Sequence, residues 1–251
     1  MNRICAVPFF LVFASPTMAA DVPAQLHWSQ RVELSTNVSG VVQSVNANVG
    51  DRVKKGQVLA ALDASAYQAQ VAETKAVLAR NQEEQLDAKR NLERVDELYK
   101  RTTISTSELE AAQSRHARAV AQTSAAQANV QRTQKTLGDA TLRAPFDGLV
   151  LVRQAEPGQI VASQFQPQTL FVIARAGEMI ARAKASLAQV EKLKVGDALT
   201  VEVNKQSYSG KIKTLGLEPI GEKGDVGYPV DVLIATKEVL RAGTPAVVKL
   251  P

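Results

Sequence analysis

The sequence of 251 residues is long enough for one or two small globular units, and its net charge of +5 is modest. Between residues 64 and 137, 11 basic and 9 acidic residues are interspersed, which indicates a solvated surface and argues against a nucleic-acid-binding stripe. The only cysteine is Cys5 in the N-terminal segment, so thiol catalysis, disulfides and cysteine-based metal sites are excluded for the rest of the chain.

The first twenty residues are typical of an export signal. Arg3 precedes an apolar run from Ile4 to Phe13, which is shorter than the ~20 residues required to span a bilayer. Small residues then lead to a predicted cleavage site before Asp21. We therefore expect residues 1–20 to be a cleavable signal peptide. The alternative is an uncleaved amphipathic or buried N-terminus.

Short β-branched segments separated by glycine follow the signal. Residues 26–39 predict one or two strands, and residues 40–63 predict small strands joined by tight turns. The same pattern returns after residue 137, at a constant offset of 108. The matching positions are Gly40, Val42, Gly50 and Val53 in the first half and Gly148, Val150, Gly158 and Val161 in the second.

This internal repeat predicts one β-sandwich made of residues 26–63 and 138–176, because neither half is large enough to bury a core alone. Residues 59–62 are also echoed by residues 170–173, after a slip of three residues. We expect the repeated glycines to form the structural turns of the sandwich. They are Gly40, Gly50, Gly148 and Gly158.

Residues 64–137 separate the two halves and contain no glycine or proline. Apolar or small residues recur there at alternating steps of three and four, the spacing of a coiled-coil seam. The interval predicts an antiparallel coiled-coil α-helical hairpin that turns at Thr102, with arms of about 35 residues and roughly 50 Å. The predicted seam is Tyr67, Val71, Thr74, Leu78, Asn81, Gln85, Ala88, Leu92, Val95 and Tyr99, followed by Leu109, Ala112, His116, Ala119, Thr123, Ala126, Val130, Thr133 and Leu137.

The two seams can be placed in register by pairing residues whose numbers add to 204. Val95 then faces Leu109, and Leu78 faces Ala126. Large residues mostly face small ones, so the two helices can approach closely. An arm of this kind is too thin to contain a globular core. We expect its role to be to span a distance.

Residues 177–251 predict a small antiparallel β-barrel. Strands are expected at 179–185, 195–203, 208–217, 228–235 and 246–250, with a short helix at 187–193. The whole chain is therefore predicted to be a mixed α and β protein, in which a sandwich interrupted by a helical hairpin is followed by a barrel.

The ordered set of motifs resembles that of the membrane fusion proteins, the HlyD-like family of periplasmic adaptor subunits from tripartite efflux pumps and type I secretion systems. The motifs are G-x-V…V-G-D-x-V-K-K-G-Q-x-L-A-x-L-D over residues 40–63, L-R-A-P-F-D-G-x-V over 142–150, P-G-Q-x-V over 157–161 and L-R-A-G-T-P-A-V-V over 240–248. The resemblance covers residues 31–250.

The resemblance implies a lipoyl-like domain that carries the hairpin and is followed by the barrel. It implies a periplasmic adaptor, associated with the inner membrane through its transporter, that links an RND or ABC transporter to a TolC-like outer-membrane channel. Self-association into trimers or hexamers is expected on assembly, and nucleic acid is not an expected partner. Many members add a membrane-proximal domain. We expect that domain to be absent or vestigial, because the sequence ends directly after the barrel pattern.

Adaptors that dock on TolC-like channels share an Arg, a Leu four residues later and a Ser seven residues after that. Arg94, Leu98 and Ser105 match this spacing, although Val95 replaces the second Leu that often follows the Arg. The resemblance thus implies docking of the hairpin tip through these three residues. The residues themselves leave another interpretation open: Ser105 and Glu108 form an S-x-x-E capping box, Arg94 is solvated and Leu98 packs within the tip.

No catalytic, cofactor or metal-binding constellation is present in the sequence. His116 lies on the predicted seam opposite Ala88, and His27 has no neighbouring ligand type. Met179 is the only methionine beyond the predicted signal, which disfavours export of soft metals. We expect no enzymatic activity and no cofactor. The competing functions are a structural coiled-coil protein of the envelope and a lipoyl or biotinyl carrier, but residues 62–64 lack the lysine that a carrier modifies.

Overall fold

The computed structural model describes residues 20–163, 168–221 and 226–250. Except for Ala20, the predicted signal peptide lies outside these ranges. The described helices do not include one that is both long and apolar enough to cross a membrane. The chain forms two compact units, of which one comprises Arg31–Ala174 and the other combines the described residues up to Gln30 with those from Arg175 onward.

Within the described ranges the elements follow one another from β1 to β14, with three helices. They are β1 (Ala20–Trp28), β2 (Arg31–Leu34), β3 (Gly40–Val45), β4 (Arg52–Val53), β5 (Val58–Leu62), α1 (Ser65–Lys100), α2 (Thr106–Asp139), β6 (Thr141–Arg143), β7 (Gly148–Arg153), β8 (Ile160–Val161), β9 (Phe171–Arg175), β10 (Glu178–Ala185), α3 (Leu187–Val190), β11 (Ala198–Val203), β12 (Gln206–Leu215), β13 (Tyr228–Ala235) and β14 (Pro245–Leu250).

The Arg31–Ala174 unit contains two four-stranded sheets, ordered β2-β9-β7-β4 and β6-β5-β3-β8. The two half-repeats pair reciprocally, because β3 pairs with β8 while β4 pairs with β7. Backbone bonds outside the strand ladders repeat this exchange: Val42 N–H donates to Gln159 O at 2.9 Å, Val150 N–H to Asp51 O at 3.0 Å, Gly158 N–H to Val42 O at 2.8 Å and Gly50 N–H to Val150 O at 2.9 Å. Each half therefore completes the sheet of the other.

The core of this sandwich is built from the repeated valines. Val42, Val53, Val150 and Val161 are all buried, and they share a cluster with larger residues such as Phe171. Equivalent positions in the two halves thus point into one core, which explains why the two halves need each other.

The repeated glycines have two different roles. Gly50 and Gly158 lie in turns with φ of 92° and 87°, the left-handed region that favours glycine. Gly40 and Gly148 instead begin strands β3 and β7, which corrects the expectation that all four form turns. Gly148 is glycine for a steric reason, since a Cβ there would lie 2.6 Å from the carbonyl oxygen of Ala174.

Helices α1 and α2 contain 36 and 34 residues and pack against each other within this unit. The residues they bury all belong to the predicted seam: Val71, Thr74 and Ala88 on α1, and Ala112, Ala119, Ala126 and Val130 on α2. Most are small. The interface is therefore close but narrow, and burial of apolar surface stabilises it only modestly per turn.

Threonines add polar contacts between the helices. Thr74 and Thr133 share a hydrogen bond of 3.0 Å between their Oγ1 atoms, and Thr123 Oγ1 donates to the carbonyl oxygen of Asn81 at 3.0 Å. At the base, the Tyr67 hydroxyl donates to the carbonyl oxygen of Ser39 at 2.6 Å. The last bond ties the start of α1 to the sandwich.

The predicted barrel is confirmed as a closed antiparallel barrel of order β1-β10-β13-β12-β11-β14. Its first strand corrects the predicted domain boundary, because Ala20–Trp28 belongs to the barrel although the sandwich was expected from residue 26. β1 pairs with both β10 and β14, and its residues Val22 and Leu26 point into the barrel core. Without β1 the barrel would have two open edges, each with unpaired backbone groups.

The equivalent glycines Gly40 and Gly148 allow a matched test of close packing in the sandwich. We expect Gly148→Ala to lower the unfolding free energy of the Arg31–Ala174 unit by roughly 1–3 kcal/mol, because the new Cβ meets a backbone oxygen that cannot move alone. Gly40→Ala should change it by less than ~1 kcal/mol, because its Cβ would lie 3.4 Å from Leu62, an ordinary contact. Urea unfolding of both variants measures the difference, and equal losses would contradict the steric explanation.

Candidate functional site

The candidate site is the tip of the helix pair, where five residues connect α1 to α2. α1 ends in a left-handed cap: Thr102 has φ of 55°, its N–H donates to Tyr99 O at 2.8 Å, and Thr103 N–H donates to Leu98 O at 3.1 Å. These two bonds define a Schellman motif, whose left-handed position usually holds glycine. A β-branched residue there is strained, so the rest of the turn must hold it in place.

α2 begins with a complete capping box. Ser105 Oγ accepts the N–H of Glu108 at 3.3 Å, and the Glu108 carboxylate accepts the N–H of Ser105 at 3.1 Å. The predicted capping role of Ser105 is therefore present in the structure. The hydroxyl proton of Ser105 is used by neither bond, which leaves it available to a partner.

Arg94 and Leu98 lie one helical turn apart near the end of α1. Leu98 is 37% exposed although it is aliphatic. Arg94 is also exposed, and its Nη2 donates to the neutral Oδ1 of Asn91 at 2.7 Å. The structure thus brings a cation, an exposed Leu and the Ser105 hydroxyl to the same end of the helix pair.

A cavity of about 260 Å³ lies beside Leu98. Both helices and their connection line it. The apolar lining residues are Val95, Leu98, Ile104, Ala111 and Ala112, and the polar ones are Asn91, Glu108 and Arg115. Sequence reasoning missed this cavity, because Ile104 reaches Leu98 only through the conformation of the turn.

Lys100 pairs with two acidic residues of the same helix near the end of α1. Lys100 Nζ lies 2.7 Å from Asp96 and 3.5 Å from Glu97. Its hydrogen bond to Asp96, followed by the attraction of both carboxylates, raises the pKa of Lys100. Such exposed pairs contribute little to stability, and the single charge of Lys100 offsets only one of the two acidic charges.

Neither histidine lies in a metal centre within the described ranges. His27 lies in β1 opposite Ile180, and His116 lies half-buried on the seam of α2. Residues 20–163, 168–221 and 226–250 contain no group of three or more His, Cys, Asp or Glu side chains that could hold a metal ion.

Comparison with known proteins decides the family. The CzcB-like barrel-sandwich hybrid domain matches residues 30–175, more than half of the chain. The chain belongs to the membrane fusion protein family. Members of this family are adaptors and not enzymes.

Two curated relatives illustrate the match. The multidrug resistance protein MdtA of Klebsiella pneumoniae is 25% identical over 230 residues, which cover 83% of this chain and 54% of MdtA. The macrolide export protein MacA of Escherichia coli O157:H7 is 28% identical over 207 residues, which cover 73% of this chain and 54% of MacA. The chain spans about half the length of these relatives.

Solved structures show the same fold. A MacA–MexA chimera that carries the Pseudomonas aeruginosa MexA α-hairpin domain has a TM-score of 0.71 at 24% identity, covering 92% of this chain and 79% of the chimera. The membrane fusion protein Spr0693 of Streptococcus pneumoniae R6 has a TM-score of 0.71 at 16% identity, covering 93% of this chain and 99% of Spr0693. At these identities the likeness concerns the fold alone.

The strained cap at Thr102 yields a prediction about local stability. We expect Thr102→Gly to stabilise the last turn of α1 by ~1 kcal/mol, because glycine adopts a positive φ without steric conflict. Amide hydrogen exchange should show about fivefold greater protection of the amides at positions 102 and 103, after correction for the intrinsic exchange rate of glycine. Thr103→Gly is the control and should give no gain, since Thr103 has no positive φ. Equal or lower protection in Thr102→Gly would show that the turn is not strained.

Proposed function

We propose that this chain is a periplasmic adaptor that links an inner-membrane transporter to a TolC-like outer-membrane channel, and that the tip of the helix pair docks on the channel. One observation supports the proposal most directly: Arg94 lies one helical turn from the exposed Leu98 at the end of a two-helix arm. An exposed aliphatic side chain beside a cation suits a partner groove that offers carbonyl or carboxylate oxygens.

The length of the arm supports this role. At 1.5 Å per residue, α1 extends ~54 Å and α2 ~51 Å, a distance suited to bridging between two partners. The two helices meet through a narrow interface of mostly small buried residues. The function of the arm is therefore mechanical: it positions its tip.

Ser105 has two compatible roles in this proposal. Its oxygen caps α2 by accepting the N–H of Glu108, and its proton is directed to an acceptor on the channel. The capping interpretation and the docking interpretation then describe the same hydroxyl group. The double cap also fixes the tip before binding, which reduces the conformational entropy lost on docking.

We further propose that the sandwich is a lipoyl-like domain of residues 31–63 and 140–174, interrupted by a coiled-coil hairpin. The reciprocal pairing of the half-repeats supports this assignment, because it places the start of α1 and the end of α2 at one point of a closed core. Leu62 N–H donates to Ala140 O at 2.8 Å across that entry point. The start of α1 and the end of α2 are thereby held by the same domain.

The names of the relatives point to export. MdtA is called a multidrug resistance protein and MacA a macrolide export protein. By analogy, this chain serves an RND or ABC transporter of the inner membrane in efflux or secretion, after export to the periplasm by a cleavable signal. Several copies, as a trimer or hexamer, surround the assembled transporter.

The docking role can be tested in cells by crosslinking from single cysteines in a Cys5→Ser background. We expect Leu98→Cys and Ser105→Cys to crosslink to an outer-membrane channel, because both lie at the exposed tip. Gln122→Cys, which lies midway along α2, is the matched control and should not reach the channel. If tip and control give the same products, or if neither reaches a channel, the tip does not dock.

Substitutions at Ser105 separate the cap from the contact. Ser105→Asp keeps an N-cap acceptor but has no hydroxyl donor at neutral pH, so we expect normal helix stability with reduced crosslinking from Leu98→Cys. Ser105→Thr keeps both groups and should behave like the parent chain. Ser105→Ala should lose the cap as well, at ~1 kcal/mol. Full crosslinking in Ser105→Asp would mean that Ser105 acts only as a cap.

A further inference from the structure

The internal repeat of the sandwich allows its two halves to be compared position by position. Core positions match, because buried valines lie at equivalent places 108 residues apart. One surface difference is a set of four basic residues whose equivalents are uncharged. The basic residues are Arg52, Lys54, Lys55 and Arg143, which we call the cation cluster, and their equivalents are Ile160, Ala162, Ser163 and Ser35.

The fold does not require the cation cluster. Strands β4 (Arg52–Val53) and β8 (Ile160–Val161) are equivalent, and in each strand the first residue is exposed and the second is buried. Isoleucine is accepted at the exposed position of β8, and the next two residues there are small and uncharged. Folding alone therefore does not explain why four cations lie at one of two equivalent places.

Hydrogen bonds bring Arg143 to the turn that carries the two lysines. The turn Lys54–Gln57 follows β4, and the N–H of Gly56 in this turn donates to Ala144 O at 2.7 Å. Arg143 Nη1 donates to Gly56 O at 2.9 Å, across 87 positions of the sequence. The guanidinium group is thereby fixed beside the turn, and its other N–H groups can donate to a ligand.

The cation cluster lacks the pairing seen elsewhere in the sandwich. Outside the two helices, the other basic residues of the sandwich are Arg31 and Arg153, which lie 2.9 Å from Glu33 and 2.8 Å from Glu156. In the described part of the chain, the members of the cluster other than Arg52 form no ion pair with a carboxylate. All four members are exposed, so a ligand from solution can reach them.

Two carboxylates lie close to the cluster in the chain, but both already accept backbone N–H groups. Asp51 Oδ2 accepts the N–H of Asn48 at 2.7 Å, and Asp147 Oδ1 accepts the N–H of Lys55 at 2.7 Å. Each carboxylate thus holds a turn in place. Four positive charges and two negative charges leave a net charge of +2 at this place, which attracts an anion.

We propose that the cation cluster is a binding site for a phosphate group. The planar guanidinium of Arg143 can donate two parallel N–H groups to phosphate oxygens, and the lysine ammonium groups add positive charge. A phosphomonoester carries a charge of about −1.5 to −2 at neutral pH, which matches the net charge of the cluster. A single carboxylate would leave half of that charge uncompensated.

The phosphate can belong to a soluble molecule or to a lipid headgroup, because the site is open to solvent on the surface of the sandwich. Both sources offer the same chemistry to the cluster. The inference does not depend on the docking role of the tip.

A titration of the ¹⁵N-labelled full chain with inorganic phosphate, followed by NMR, tests the proposal. We expect amide shifts concentrated at residues 52–57 and 143–147. The double variant Lys54→Ala with Lys55→Ser, which introduces the residues of the equivalent positions, should weaken binding roughly fivefold because it removes two of four cations. Lys75→Ala with Lys89→Ser removes the same charge from α1 and should bind phosphate like the parent chain.

Two further measurements define the ligand. Binding should weaken as the pH falls through about 6, because phosphate then gains a proton while lysine and arginine keep their charges. Sedimentation with phosphatidylcholine vesicles that contain phosphatidic acid tests the lipid source. If the parent chain sediments with these vesicles and the Lys54→Ala, Lys55→Ser variant does not, the phosphate belongs to a headgroup. Phosphate-dependent shifts without sedimentation assign the site to a soluble molecule.

Three results would overturn the proposal. The first is equal phosphate binding by the parent chain and the Lys54→Ala, Lys55→Ser variant, with both chains folded by circular dichroism. The second is a set of shifts spread over the basic residues of the whole chain. The third is the absence of binding to inorganic phosphate and to the vesicles alike.

Discussion

The N–H of Val42 donates to Gln159 O and the N–H of Val150 donates to Asp51 O. These bonds join two stretches of chain that are separated in sequence by the helix pair. Neither half-repeat can satisfy its backbone groups or bury its valines alone. The sandwich therefore forms only when the chain returns from the far end of α2. This requirement fixes both ends of the helix pair at one place, and the arm depends on it.

The helix pair itself buries little apolar surface that could stabilise its fold. Its buried residues are mainly alanine, valine and threonine, and its charged pairs are exposed. Small side chains let the two backbones approach closely, and the threonine hydrogen bonds hold the register. The result is a thin extension that is anchored at the base by Tyr67 and capped at both sides of the tip turn. Leu98 is one of four large apolar side chains exposed on these two helices, with Val77, Leu86 and Tyr99.

Much of this architecture could be predicted from the sequence because it is periodic. The seam spacing identified every residue that the two helices bury, and the offset between Val42 and Val150 identified the repeat. The position of β1 could not be predicted, because a strand that closes a barrel from the other end of the chain leaves only a short alternation around Val22 and Leu26. The left-handed Thr102 was also missed, since nothing in its residue type signals a positive φ. At the candidate site the sequence showed Arg94, Leu98 and Ser105 but not the cavity formed with Ile104.

We propose that the length of the arm sets where the tip docks. Removing one heptad from each helix, residues 78–84 together with residues 120–126, preserves the seam register and shortens the arm by ~10 Å. The measurement is the yield of crosslinks from Leu98→Cys to the outer-membrane channel, with helix content by circular dichroism as the folding control. We expect a folded chain whose tip no longer reaches the channel. An undiminished crosslink from the shortened arm would contradict it.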